Sequence, residues 1–353
     1  MTAQDTAPHR RPGDGDTRLR GAAARVRIPA LIAVVAALVV ASVLSLVYGS
    51  REIPLGEILP ALTAPDPDSI VDAAVQGRIP RTVLALLVGA ALGLAGAVMQ
   101  GMTRNPLADP GILGLNAGAS LAVVLGISTV GATTLPQFIW LAFLGAAAAG
   151  AFVYAVASLG REGATPLKLA LAGAATAAAL ASLISAVLLT QDATLNRFRF
   201  WQVGGVGGAE SAGILQVLPF LVVGGALAIG SARGLDALAL GDDLATGLGR
   251  RVGRTRLVAG LAAVLLCGAA TAIAGPIGFI GLTVPHVARR ITGPSHAWLL
   301  PSSALLGALL LLVADVIGRV VARPSDVEVG IVTALIGAPV LIAIVRRSKV
   351  RAL

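Results

Sequence analysis

Apolar positions in this chain come in long runs separated by short polar breaks. The runs cover 28–48, 82–101, 115–131, 136–159, 167–190, 212–232, 255–274, 277–291, 298–318 and 329–346. Most approach the twenty or so residues that a helix needs to cross the hydrocarbon core of a bilayer. Period-two alternation is absent, which argues against an outer-membrane barrel. The pattern predicts an all-α polytopic membrane protein with about ten transmembrane helices. The run 277–291 is the weakest, being short and carrying Pro285. The break between the third and fourth runs rests on Thr133, Thr134 and Pro136.

Composition agrees. Of 353 residues, 56% are hydrophobic and only 13% charged, against about 25% charged in soluble domains. Forty-three glycines fit closely packed helices. The net charge of +9 could suggest nucleic acid, but aromatics make up 3% and the arginines sit between the runs. It reads better as topology. With the N-terminus inside, twenty lysines and arginines fall on inner segments and seven on outer ones (51, 78, 81, 197, 199, 319 and 323). That bias supports cytoplasmic N- and C-termini and an even number of spans. Residues 1–27, polar with six arginines, read as a disordered cytoplasmic tail. Residues 28–347 form the transmembrane domain and 348–353 a second cytoplasmic tail. The first run is too long for a signal-peptide core and is retained as a span. Cys267 is the single cysteine, so there is no disulfide framework.

The stretch Arg78–Gly118 is the most distinctive. Two arginines flank Pro80, and Thr82–Gly101 carries no charge. Ala85, Gly89, Gly93 and Ala97 recur every fourth residue, a face that lets another helix backbone come close. A rigid loop follows, with Asn105–Pro106 and Asp109–Pro110–Gly111. Arg81, a Gly/Ala-rich run and Pro106 recur weakly as Arg256, a second such run and Pro276. The two runs cross in opposite directions, which suggests an inverted repeat.

Between the sixth and seventh runs lies GLDALALGDDLATGLGRRV, residues 234–252. Asp236 can cap a short helix 237–240, Gly241 breaks it, and Asp242 can cap a second helix ending near Gly249. The segment is too short and too charged to span. It reads either as an interfacial helix pair lying on lipid or as a docking knob for a cytoplasmic partner.

Candidate chemistry is sparse. No G-x-x-x-x-G-K-[ST] occurs, so nucleotide would have to bind to another subunit. His9, His286 and His296 form no metal cluster with Cys267, and a membrane-embedded enzyme has no nucleophile–base set or paired carboxylates to work with. Asp315 and Arg319, four apart within a span, can pair. They read as a self-neutralising pair, a proton relay or a partner-docking arginine, and the lack of further acids at mid-membrane weakens the relay. The fifth run carries Thr176, Ser182 and Ser185 among alanines, which suits tight packing or a pathway wall.

Eight landmarks in order resemble the permease subunits of ABC importers for iron–siderophore complexes and cobalamin. They are RIPRT (78–82), NPLADPGILGLNAGA (105–119), LKLALAGAA (167–175), RFRFWQVGGVGG (197–208), LALGDDLATGLG (238–249), GPIGFIGLTVPHVARR (275–290), ADVIGRV (314–320) and EVGIVTALIGAPV (328–340). The resemblance implies a ten-helix permease in a bacterial plasma membrane, paired with a second copy or paralogue around the pathway. It further implies two cytoplasmic ATPase subunits and an external substrate-binding protein. Carried over by position, Arg78, Arg81 and Arg319 would dock the binding protein. Leu240, Gly241, Asp242, Leu244, Ala245, Leu248 and Gly249 would meet the ATPase. Thr165, Pro166 and Leu167 would form the inner gate, where Pro166 and Leu167 replace small polar residues of some relatives. A second departure is DVEVG at 326–330, where relatives carry a Glu-Leu-Pro-Val-Gly-like string. The motifs lean toward a ferric siderophore as substrate, with cobalamin or haem as the alternatives. A proton- or sodium-coupled secondary transporter is the rival class. No cofactor is expected.

Overall fold

The computed structural model describes residues 14–49, 52–159, 165–323 and 325–349. Among these every regular element is a helix. The helices are α1 (Asp14–Val47), α2 (Leu55–Thr63), α3 (Ile70–Thr103), α4 (Leu115–Val130), α5 (Leu135–Ser158), α6 (Pro166–Thr190) and α7 (Asp192–Val203). They continue with α8 (Ser211–Gly230), α9 (Ala232–Leu238), α10 (Asp242–Gly247), α11 (Val252–Ala274), α12 (Ile280–Thr292), α13 (His296–Val321) and α14 (Val329–Lys349). A single 3-10 turn, Pro110–Leu113, precedes α4.

Seven described helices are long and apolar enough to cross a membrane: α1, α3, α5, α6, α8, α11 and α13. Two more, α4 and the stretch Val329–Ala343 of α14, are apolar but shorter.

The centre is α3, which packs against α13, α11 and α12. Its small residues explain why. A Cβ on Gly89 would come within 2.8 Å of the Ala308 backbone, and Gly93 lies against the backbone of Ser303, both on α13. One row round, Gly96 meets Gly281 of α12. The four-residue spacing read from the sequence therefore marks real backbone-to-backbone contact. Inside lipid, with no hydrophobic drive between helices, close packing of this kind supplies the attraction.

Several expectations are corrected. The tail 1–27 was expected to be disordered, yet α1 begins at Asp14. The helix formers that follow, including Ala22, Ala23 and Ala24, extend the apolar run backward. Residues 1–13 lie outside the described part. The helices α2 and α7 were not anticipated, since each is too short or too polar to show as a run. The helix α3 begins at Ile70, where Ser69 Oγ accepts from Asp72 N at 3.3 Å. Arg78, Pro80 and Arg81 therefore sit inside a helix about 51 Å long rather than at its mouth. The 277–291 run is not one span. Residues 275–279 are non-helical, and α12 has only 13 residues, about 20 Å. Irregular backbone at such depth is tolerated where protein buries it. Here Gly205 N donates to Ala274 O at 2.8 Å and Gly330 N to Gly204 O at 3.0 Å. Gly204 and Gly275, at φ 77° and 71°, allow the close approach. The break at Thr133–Pro136 stands: Gln137 Oε1 accepts from Thr133 N and Thr134 N at 2.9 and 3.1 Å.

Candidate functional site: a charged corner and a coupling knob

The end of the bundle that holds the C-terminus of α1 carries a charged corner. Helix C-termini leave carbonyls without partners, and two arginines supply them. Arg78 Nη1 donates to Leu46 O and Val47 O at 2.6 and 2.9 Å. Arg319 Nη1 donates to Ser45 O and Tyr48 O at 2.9 and 3.0 Å, and its Nη2 to Ser45 Oγ at 2.7 Å. Ser45 Oγ also meets Thr82 Oγ1 at 2.7 Å. Asp315 ties the corner together: its Oδ2 lies 2.8 Å from Arg319 Nη2, and its Oδ1 accepts from Arg81. The pairing of Asp315 with Arg319 anticipated from their spacing is thus present. Arg81 Nη1 also reaches Asp326 at 2.7 Å. Beside them, burial raises the pKa of the Glu328 carboxyl above its ordinary value, with Arg81 opposing.

The three arginines expected to dock a partner do come together, but not as an exposed fork. Arg78 and Arg319 are only 8% and 2% exposed. The Arg81 side chain is 14% exposed and shares Asp326, itself 34% exposed.

At the opposite end, α9 and α10 form a knob between α8 and α11. The helix boundaries differ from expectation. Asp236 does not cap the helix that follows it; it lies inside α9, and its Oδ1 accepts from His296 N, at the start of α13, at 2.8 Å and lies 2.7 Å from His296 Nδ1. Asp242 is the first residue of α10, with no side-chain cap, because its carboxylate is engaged elsewhere. Arg256 Nη2 donates to both its oxygens at 2.9 and 3.1 Å, and Arg104 Nη2 lies 3.3 Å away. Gly241, at φ 106°, makes the sharp break that was expected, and Gly249, at φ 75°, ends the knob. With the loop so fastened, Leu240, Leu244 and Leu248 stand out at 58%, 61% and 65% exposure, while Ala245 is fully buried. Leu244 sits on α10 and Leu248 at its C-cap, and Leu240 lies just before the Gly241 break.

The candidate gate and pathway residues are split. Thr165 Oγ1 accepts from Lys168 N at 3.4 Å as the cap of α6. Pro166 opens the helix, and Leu167 is exposed. Ser182 and Ser185 face outward on α6, each hydroxyl donating to the carbonyl four residues back. Thr176 instead lines a cleft with α4 and α5, against Leu121, Ala122 and Phe152. At 100° per residue, Ser185 lies on the opposite side of the helix from Thr176, so the three do not form one wall.

Sequence reasoning also passed over polar groups deep in the bundle. Asp109 Oδ2 lies against Gly281, itself in contact with Gly96. An acid thus sits further inside than a reading of separate spans allowed, held by Gly111 N at 2.8 Å. Thr271 Oγ1 donates to Asn116 Oδ1 at 3.0 Å, with Cys267 Sγ 3.7 Å from the same oxygen.

Comparison with known proteins places this geometry. The chain is 44% identical over 329 residues to the ferric enterobactin transport system permease protein FepD of Escherichia coli, covering 93% of this chain and 98% of that protein. It is 40% identical to the probable siderophore transport system permease protein YfiZ of Bacillus subtilis, covering 90% and 95%. Among solved structures, an inward-facing conformation of a metal-chelate type ABC transporter superposes with a TM-score of 0.78 at 28% identity, covering 90% of this chain and 99% of that one. Residues 37–347 match the FecCD transport family throughout. A bundle centred on a Gly/Ala-rich helix, with a charged corner at one end and a leucine-bearing knob at the other, therefore belongs to the FecCD transport family, whose members are membrane permease subunits of ABC importers.

Proposed function

We propose that the chain moves a ferric siderophore inward, as one of two permease subunits driven by ATPases carried on separate chains. The observation that carries this reading is the exposure of Leu240, Leu244 and Leu248 on a knob that three basic side chains fasten. Exposed leucines on a charged, fastened loop suit a partner's groove better than free solution. A rigid knob also passes a push to α3, α11 and α13 without absorbing it. The siderophore assignment draws on the relatives: both permeases named above are described as carrying siderophores or ferric enterobactin.

The orientation that fits has both termini and the knob in the cytoplasm and the corner outside, with ten membrane-crossing segments if α4, α12 and α14 complete the seven. Arg81 and Arg256, each just before the Gly/Ala-rich part of its helix and each paired to carboxylates at opposite ends, fit an inverted repeat. An external binding protein docks at the corner. Arg81 can turn toward a carboxylate by giving up Asp326, while Arg78 and Arg319 hold the corner's shape. The exposed small face of α6, with Ser182 and Ser185, would face the pathway between two permease copies, and Thr165–Leu167 would gate its inner end.

The test is reconstitution in proteoliposomes with the ATPase and a siderophore-loaded binding protein. Uptake should need ATP and survive an uncoupler. Uptake that follows a proton or sodium gradient without ATPase would overturn the reading.

A further inference from the structure

Four arginines have no role in the corner, the knob or the pathway. Arg233, Arg250, Arg251 and Arg254 line one open cleft of about 710 Å³ between the end of α8 and the start of α11. All four are exposed. Among the described residues none of them makes an ion pair or side-chain hydrogen bond, whereas Arg256, two residues on, is bound to Asp242. The lining holds no carboxylate. The start of α11, at Arg251–Val252, has no side chain capping its first N–H groups, so the positive end of that helix opens on the same cleft. Everything at the mouth therefore asks for an anion.

The inner wall has a different character. Ala226, Leu227 and Val258 line it, on faces of two membrane-crossing helices. One turn further in along the same helices, Val223 and Leu261 are 52% and 48% exposed. A free phosphate would satisfy the mouth and leave this wall bare. An acidic protein surface could meet the arginines, but could not follow the apolar strip into the bilayer. An amphiphile with an anionic head and a hydrocarbon tail matches both parts.

We propose that this cleft binds one anionic phospholipid, with its headgroup phosphate among Arg233, Arg250, Arg251 and Arg254 and an acyl chain along α8 and α11. Cationic side chains give phosphate oxygens charge-assisted hydrogen bonds, and basic pockets between transmembrane helices are suited to such headgroups. The site adjoins the knob, since Arg250 follows Gly249, where the knob ends. Lipid occupancy would therefore brace the segment that joins α10 to α11.

The experiment uses the full-length permease in neutral detergent, titrated with phosphatidylglycerol or phosphatidylcholine and read by native mass spectrometry. Saturable binding of one phosphatidylglycerol, with phosphatidylcholine far weaker, is the expected result on the unaltered chain. Arg251→Gln with Arg254→Gln should weaken it about 25-fold, taking roughly fivefold per arginine. The corresponding lysine variants should keep most of the affinity. Arg290→Gln, an exposed cation elsewhere on the same end, should change nothing. Equal binding of both lipids, or glutamine variants that bind normally, would overturn the proposal. So would displacement of the lipid by millimolar inorganic phosphate, which would mark a phosphate site. If the glutamine variants keep their lipid but lose the ATPase subunit in a pull-down, the arginines serve the protein partner and the lipid site is wrong.

Discussion

Arg81 gives two hydrogen bonds to a single oxygen of Asp315, from Nε at 3.0 Å and Nη2 at 2.9 Å, across 234 positions of sequence. The other oxygen faces Arg319. One carboxylate, 1% exposed, thus joins two arginines and fastens α3 to α13. Removing it leaves two cations with little access to water. Asp315→Asn should lower unfolding stability by about 3–5 kcal/mol, the usual result of breaking a buried pair from one side. By contrast, Arg323→Gln breaks a pair with Glu52 whose side chains are 31% and 63% exposed, and should cost at most about 1 kcal/mol. Denaturant unfolding in micelles compares the two directly.

The corner gives its arginines unequal tasks. Arg78→Gln and Arg319→Gln strip partners from the end of α1, so their expected effect is lower yield and stability. Arg81→Glu should instead weaken capture of the binding protein, and reversing a glutamate on that protein should recover part of the loss. Coupling between close charged pairs at interfaces runs from about 1.5 to 7 kcal/mol. Binding isotherms at low and high salt measure it. Unchanged affinity in a folded Arg81→Glu protein would remove docking from this corner.

The knob separates two substitutions that sequence alone would treat alike. Leu244→Asp with Leu248→Asp alters side chains that are 61% and 65% exposed. It should leave the permease folded and abolish recovery of the ATPase in a pull-down. Ala245→Asp places a charge where there is no room or water and should disturb the knob itself, seen as faster proteolysis at 238–250. Normal ATPase recovery with both leucines replaced would exclude them as the contact.

On α6, cysteines at Ser182 and Ser185 in a Cys267→Ala background should react with a water-soluble thiol reagent in the assembled transporter. A cysteine at Thr176, turned into the cleft with α4 and α5, should react far more slowly. Equal labelling of all three would contradict the orientation of the helix.

What the amino-acid order settled by itself is whatever depends on neighbours along the chain. Runs of twenty apolar residues announce helices. The spacing of Ala85, Gly89, Gly93 and Ala97 marked the packing face, and Gly241 marked the break in the knob. The pairing of Asp315 with Arg319 was legible because four residues bring two side chains onto one helix face. Local rules reached no further. The capping assigned to Asp236 and Asp242 is reasonable from spacing alone, yet His296 and Arg256 claim those carboxylates from 60 and 14 residues away. A carboxylate takes the donors that the fold presents: Asp236 meets the backbone N–H and the ring of His296, and Asp242 the guanidinium of Arg256. The same holds for Arg78 and Arg319, whose bonds to the carbonyls at the end of α1 no spacing along the chain announces. It holds too for 277–291, where the run's apolar character said it was buried and only packing against α3, α13 and Gly204 decided that it enters as an irregular segment and a short helix. Burial and charge pairing are set by what lies across the bundle, and that distance has no counterpart in the order of residues.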